Sequence, residues 1–151
     1  MLETLGGGNS HVDIFLESTL DSVDRAEALG MDAARELGFD EDGQHEVGIA
    51  VRESMVNAVA HGNRYNARKR VHLQIQKGPR ALTVEIVDEG PGFNPDIVPD
   101  PTTGENVFRH SGRGLLMIRA YMDEFEIRRL EPNGTYVRMV KRLPATVNSD
   151  S

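Results

Sequence analysis

Residues 53–63, ESMVNAVAHGN, decide how the chain is read. In a helix, Glu53, Asn57 and His61 fall at i, i+4 and i+8, and four-residue steps stack side chains on one face. A carboxylate, an amide and an imidazole then stand in one line. Around them the segment is apolar or small: Val47, Val51, Ser54, Met55 and Ala58 on one side, Ile49, Val56 and Val59 flanking the other. A helix apolar nearly all round is a buried one. A polar stripe inside it must reach solvent, find partners or face a ligand. On these residues alone a solvent-facing stripe and a ligand-facing stripe are equally open.

The remaining composition narrows the choice. A chain of 151 residues makes one domain with a sizeable core and leaves no room for a second of ordinary size. At 38% hydrophobic and 27% charged residues it has a soluble, globular composition. The formal charge is −7, from 24 acidic and 17 basic residues, which argues against a direct nucleic-acid partner because phosphate neutralisation needs a basic surface. The absence of cysteine excludes disulfides, thiolate metal sites and cysteine nucleophiles, and fits a reducing compartment. The opening MLETLGGGNS has no basic region followed by an apolar run, so no signal peptide is expected. No window approaches the roughly 20 apolar residues of a membrane span. The expectation is a cytoplasmic protein with no membrane partner.

Upstream of the deciding stretch, residues 1–10 with Gly6, Gly7 and Gly8 read as a disordered N-terminus. Residues 11–17 alternate around Val12, Ile14 and Leu16, the pattern of an edge strand. Ser18 with Asp21 three positions on resembles a capping box, and a helix over residues 19–37 follows, with Val23, Ala26, Ala33 and Leu37 inward and Gly38 as its stop. Asp40 caps the central helix, which should end near His61.

Downstream, NRYNARKR (63–70) is a basic connector of four cationic side chains. It is a solvated loop on the plainer view and a partner-binding patch on the sharper one. Two alternating segments, around Val71, Leu73, Ile75 and Leu82, Val84, Ile86, are linked by Lys77-Gly78-Pro79-Arg80, a hairpin signal. Residues 91–111 hold four of the seven prolines and little periodicity, which in a connection this long marks a functional or disordered segment. A short helix over residues 114–122 and two strands joined by Pro132-Asn133-Gly134 complete the order. Strand, two helices, two strands, long loop, helix and two strands suggest an α+β fold: a two-layer sandwich whose antiparallel or mixed sheet carries helices on one face.

Three features stand together in this order: the Glu53/Asn57 stripe, Asp88-Glu89-Gly90-Pro91-Gly92-Phe93 after a strand, and Ser111-Gly112-Arg113-Gly114 before a helix. Each alone is weak, since Asp and Gly are common turn formers. A helix start can nonetheless bind phosphate through its free N–H groups, and Arg109, His110 and Arg113 add positive potential there. In order and spacing the three resemble the nucleotide-binding boxes of the GHKL ATPase superfamily, shared by gyrase, heat-shock chaperone, histidine kinase and mismatch-repair proteins. Within it, the entry EVGIAVRESMVNAVAHGN and the run GRGLLMIRAYMDEFEIRR look most like the anti-sigma factor serine/threonine kinases. The resemblance covers residues 11–143, the single expected domain, and leaves 144–151 as a disordered tail.

The resemblance implies that fold, the Bergerat ATP-binding fold, and a set of roles. Asn57 would coordinate Mg²⁺ bridging the ATP phosphates, and Glu53 would be the general base. Asp88 would accept the adenine amine, helped by Thr135. Gly90 and Gly92 would start the lid close to the nucleotide, with residues 95–110 as the lid itself. Gly112 and Gly114 would offer N–H groups to phosphate, with Arg109 or Arg113 as the lid's basic contact. It further implies an ATP-dependent protein serine/threonine kinase that binds a sigma factor, phosphorylates a STAS-domain antagonist, and dimerises with itself through its N-terminal edge strand. A non-catalytic ATP- or ADP-binding module and a detached histidine-kinase catalytic domain are the alternatives.

Overall fold

Alternation sets the sheet. The strands β1 (His11–Glu17), β2 (Arg70–Lys77), β3 (Ala81–Asp88), β4 (Glu124–Arg129) and β5 (Thr135–Arg142) pair in the order β1-β2-β3-β5-β4, every neighbouring pair antiparallel. The computed structural model describes residues 11–90 and 112–145. Residues 1–10, the expected lid over 95–110 and the tail from 146 onward lie outside the described residues.

Register gives the sheet two different faces. Ile14, Leu73, Ile86, Val137 and Ile127 align across all five strands and point toward the helices. One position along, Phe15, His72, Val87, Tyr136 and Arg128 align on the other face. The expected α+β sandwich is therefore present, with the sheet antiparallel throughout.

The covering layer is α1 (Leu20–Leu37), α2 (Glu41–Val56) and α3 (Gly112–Tyr121). Val23, Ala26, Val47, Val51, Met55 and Ile118 are each fully buried over the sheet. Burying a side chain of the Val, Leu or Met class contributes about 1.5–3 kcal/mol, so this layer is what holds α2 in place. Its start is fixed by Asp40, whose Oδ1 accepts the Gly43 N–H at 2.8 Å.

Three boundaries differ from expectation. Thr19 caps α1, accepting the Ser22 N–H, while the Ser18 hydroxyl donates at 2.7 Å to the Lys69 carbonyl. The α-helical pattern of α2 stops at Val56, and residues Asn57–Gly62 continue as a π-helical turn. Wider turns of this kind recur at functional sites. Its i→i+5 bonding replaces the α-helical step expected to align Asn57 and His61. Finally, α3 begins at Gly112, so the Gly-Arg-Gly triplet is its first turn and does not precede it.

Candidate functional site

Asp88 ends β3 directly opposite Thr135, the first residue of β5. It is only 5% exposed. The π-helical turn reaches it at Gly62, where a β-carbon would lie 2.5 Å from the carboxylate. Gly90 sits equally close in turn, because a β-carbon there would lie 2.1 Å from the Gly62 carbonyl oxygen. No side chain fits at either position. The Gly90 N–H donates to Asp88 Oδ1 at 2.9 Å, and the Gly134 N–H donates to the Gly90 carbonyl at 2.7 Å. Three segments distant in sequence are thus tied around one carboxyl.

Burial pushes the Asp88 pKa up from 3.8 to about 6. The N–H groups of Gly90 and Thr135 and the charge of Lys69 oppose that rise, while Glu89 adds to it. The result is an acceptor that is ionised at neutral pH yet poorly hydrated, suited to an N–H donor on a planar ligand.

At the other end of the motif, α3 packs on α2 with Gly114 against Glu53. A β-carbon on Gly114 would lie 2.3 Å from Glu53 Oε1, so the carboxylate fills the space a side chain would need. The first N–H groups of a helix lack intrahelical partners, and those of α3 open beside this carboxylate.

Asn57 stands one turn beyond Glu53, its N–H bonded to the Glu53 and Ser54 carbonyls. Its side-chain oxygen is buried without a hydrogen-bond partner. Leaving such an atom unsatisfied costs about 1–3 kcal/mol, and a bound water or ion would complete it. A neutral oxygen suits a hard cation such as Mg²⁺, which keeps several waters and is shared with phosphate. Among the described residues no cluster of three or more His, Asp or Glu side chains could hold a metal, so a cation here would take few protein ligands.

The structure therefore brings Asp88, Gly90 and Thr135 together at Gly62, and Glu53 and Gly114 together across α2 and α3. Asn57 lies on the helical segment that joins the two groups. Gly112 opens α3, with Arg113 next in the same turn, though the Arg113 side chain lies outside the described residues, as do Gly92 and Arg109.

Sequence reasoning missed Asn63, which is 1% exposed. Its amide donates to the Ser18 hydroxyl at 2.9 Å and the Arg70 carbonyl at 3.1 Å, and its oxygen accepts the Glu89 N–H at 2.8 Å. It pins the exit of the π-helical turn to the Asp88-Glu89-Gly90 turn. Asn after a helix-ending Gly reads as an ordinary loop residue, and nothing local marks it as buried.

Comparison with known proteins gives two concordant findings. Residues 16–141 match the family model described as histidine kinase-like ATPase domain. The chain is also 32% identical over 100 residues to the anti-sigma F factors of Bacillus thuringiensis (strain Al Hakam), Bacillus mycoides (strain KBAB4) and Bacillus cereus (strain AH187). Those alignments cover 65% of this chain and 68% of each relative.

Proposed function

We propose, because the chain belongs to the histidine kinase-like ATPase family and to its anti-sigma regulatory branch, that it is an ATP-dependent protein serine/threonine kinase which also binds a sigma factor. The observation that carries this reading is the placement of residues 53–62: one end lies against Gly114 and the other against Asp88 and Gly90, with the orphaned Asn57 oxygen between. One ligand seated along that segment meets groups suited to a purine at one end and to phosphate at the other.

Each residue then has a task. Asp88 accepts the adenine amine, with Thr135 beside it in register. Gly62 and Gly90, lacking β-carbons, let the π-helical turn close on the Asp88 carboxyl and hold it in place. Gly112 and Gly114 present the first N–H groups of α3 to the phosphates. Asn57 holds Mg²⁺, which when bound neutralises phosphate charge. Glu53 takes the proton of a substrate serine or threonine hydroxyl as its oxygen bonds to the terminal phosphorus and the bond to the leaving ADP breaks. The phosphate acceptor is a STAS-domain antagonist, the chain acts as a homodimer in the cytoplasm, and modification of the antagonist leaves the sigma factor bound.

The test is Glu53→Gln. It should keep ADP and ATP affinity within about twofold while lowering phosphotransfer by a factor on the order of 10²–10⁴. The product should be an acid-stable phosphoserine or phosphothreonine, measured by mass spectrometry. An acid-labile phosphoramidate would point to a histidine-kinase domain, and ATP binding without any transfer by the wild type would leave a binding module.

A further inference from the structure

The side chains of Arg64, Tyr65 and Arg68, in the connector between the π-helical turn and β2, have no task in the phosphotransfer reading, and the connector concentrates cations that form no ion pair among the described residues. Elsewhere on the described surface cations mostly stand beside acids: Arg35 with Asp32, Arg52 with Asp24 and Glu27, Lys77 with Glu36, Arg138 and Arg142 with Glu124, Lys141 with Glu46. In this connector Arg64, Arg68 and Lys69 form no ion pair among the described residues. A chain of net charge −7 has carboxylates to spare, so three cations within six residues with no direct ion pair, only Lys69 acting at longer range on Asp88, are a feature to explain.

The backbone adds an independent observation. Arg64 (φ 52°) and Tyr65 (φ 58°) are consecutive left-handed residues, a conformation unfavourable for any residue with a β-carbon and rarely taken by two in a row. They are held there by bonds on both sides. The Tyr65 N–H donates to the Val59 carbonyl at 2.9 Å and the Asn66 N–H to the Asn63 carbonyl at 3.0 Å, while the buried Asn63 amide anchors the start of the loop. Strain kept in place by surrounding bonds marks functional loops. The loop presents Tyr65 at 53% exposure beside a cleft of about 390 Å³ lined by Gly62, Asn63, Arg64, Asn66, Lys69 and Asn133. Tyr and Arg on a rigid scaffold are the residue types that dominate protein recognition.

We propose that this connector is a docking site for an acidic segment of a protein partner. Arg64, Arg68 and Lys69 pair with its carboxylates, and Tyr65 covers its apolar residues. A nucleic acid fits less well, because it would extend over the rest of an acidic surface. The proposal stands whether or not the chain transfers phosphate.

The probe is a fluorescein-labelled octapeptide of alternating glutamate and leucine, titrated with the full chain and followed by anisotropy. Binding should appear at low salt and weaken as salt is added. The combined variant Arg64→Glu, Arg68→Glu, Lys69→Glu should weaken it by about tenfold or more, whereas Arg35→Glu, Arg128→Glu, Arg129→Glu, with the same net charge, should not. Tyr65→Asn, which tolerates the left-handed region, should hold or raise the melting temperature and still weaken binding several-fold. Three outcomes overturn the proposal: no binding at low salt, equal loss in both charge-reversed variants, or equal affinity for a DNA oligonucleotide of the same charge.

Discussion

At Asp88 the fold places a carboxyl where burial favours its neutral form. A folded pKa above the ordinary 3.8 means that this group's stabilising contribution is complete below 3.8 and is lost as pH rises through about 6. At about 1.4 kcal/mol per unit, the cost at pH 7.5 is on the order of 3 kcal/mol. Urea unfolding at pH 4.5 and 7.5 should therefore show the wild type losing ground to Asp88→Asn by roughly 2 kcal/mol as pH rises. If the difference between the two proteins is the same at both pH values, the buried ionised carboxylate is not a liability. Nucleotide affinity should move the other way. An adenine amine needs the ionised acceptor, so ATP binding should weaken below about pH 6 in the wild type, and Asp88→Asn should flatten that profile.

Between elements, the site glycines divide by what a methyl group would strike. At Gly114 it meets the Glu53 carboxylate, the end of a flexible side chain, whereas at Gly90 it meets the Gly62 backbone. Gly114→Ala should thus fold normally, with helix propensity improved by up to about 1 kcal/mol. It should displace Glu53 and lower phosphotransfer more than ADP affinity. Gly90→Ala must shift one of two backbone segments and should cost about 1–3 kcal/mol with loss of nucleotide binding. Calorimetric titration and thermal unfolding of both variants separate these effects, and matching behaviour would refute the distinction. What the sequence disclosed follows the same division. Strand alternation, the Asp40 cap and the turns at Gly78 and Asn133-Gly134 are local signals, and they became the expected elements. The choice of Thr19 over Ser18 as cap was not legible, because Ser18 is drawn away by Lys69, 51 positions distant. The π-helical turn was not legible either. Nothing in NAVAHG departs from α-helical composition, and its widening accompanies the closure of Gly62 onto Asp88, a tertiary contact.

Across the whole molecule, the candidate site joins parts that the chain order keeps apart: α2, the ends of β3 and β5, and the first turn of α3. A ligand contacting all of them cross-links the helical layer to the sheet and must stabilise the fold by linkage. At a concentration one hundred times its dissociation constant the gain is about 2.7 kcal/mol. For a domain of 151 residues that corresponds to a rise in melting temperature of roughly 5–10 °C. Mg²⁺-ADP should give this shift, and chelation of the metal should remove the part that depends on Asn57. In Asn57→Ala the shift with ADP should be the same with and without Mg²⁺, while the variant alone melts no lower than the wild type, because the orphaned oxygen is gone. Asp88→Asn should lose the shift for ADP without gaining one for GDP. A wild-type melting temperature indifferent to Mg²⁺-ADP would mean that the three segments meet for packing alone, and the phosphotransfer reading would fall while the acidic-segment docking site could still be tested.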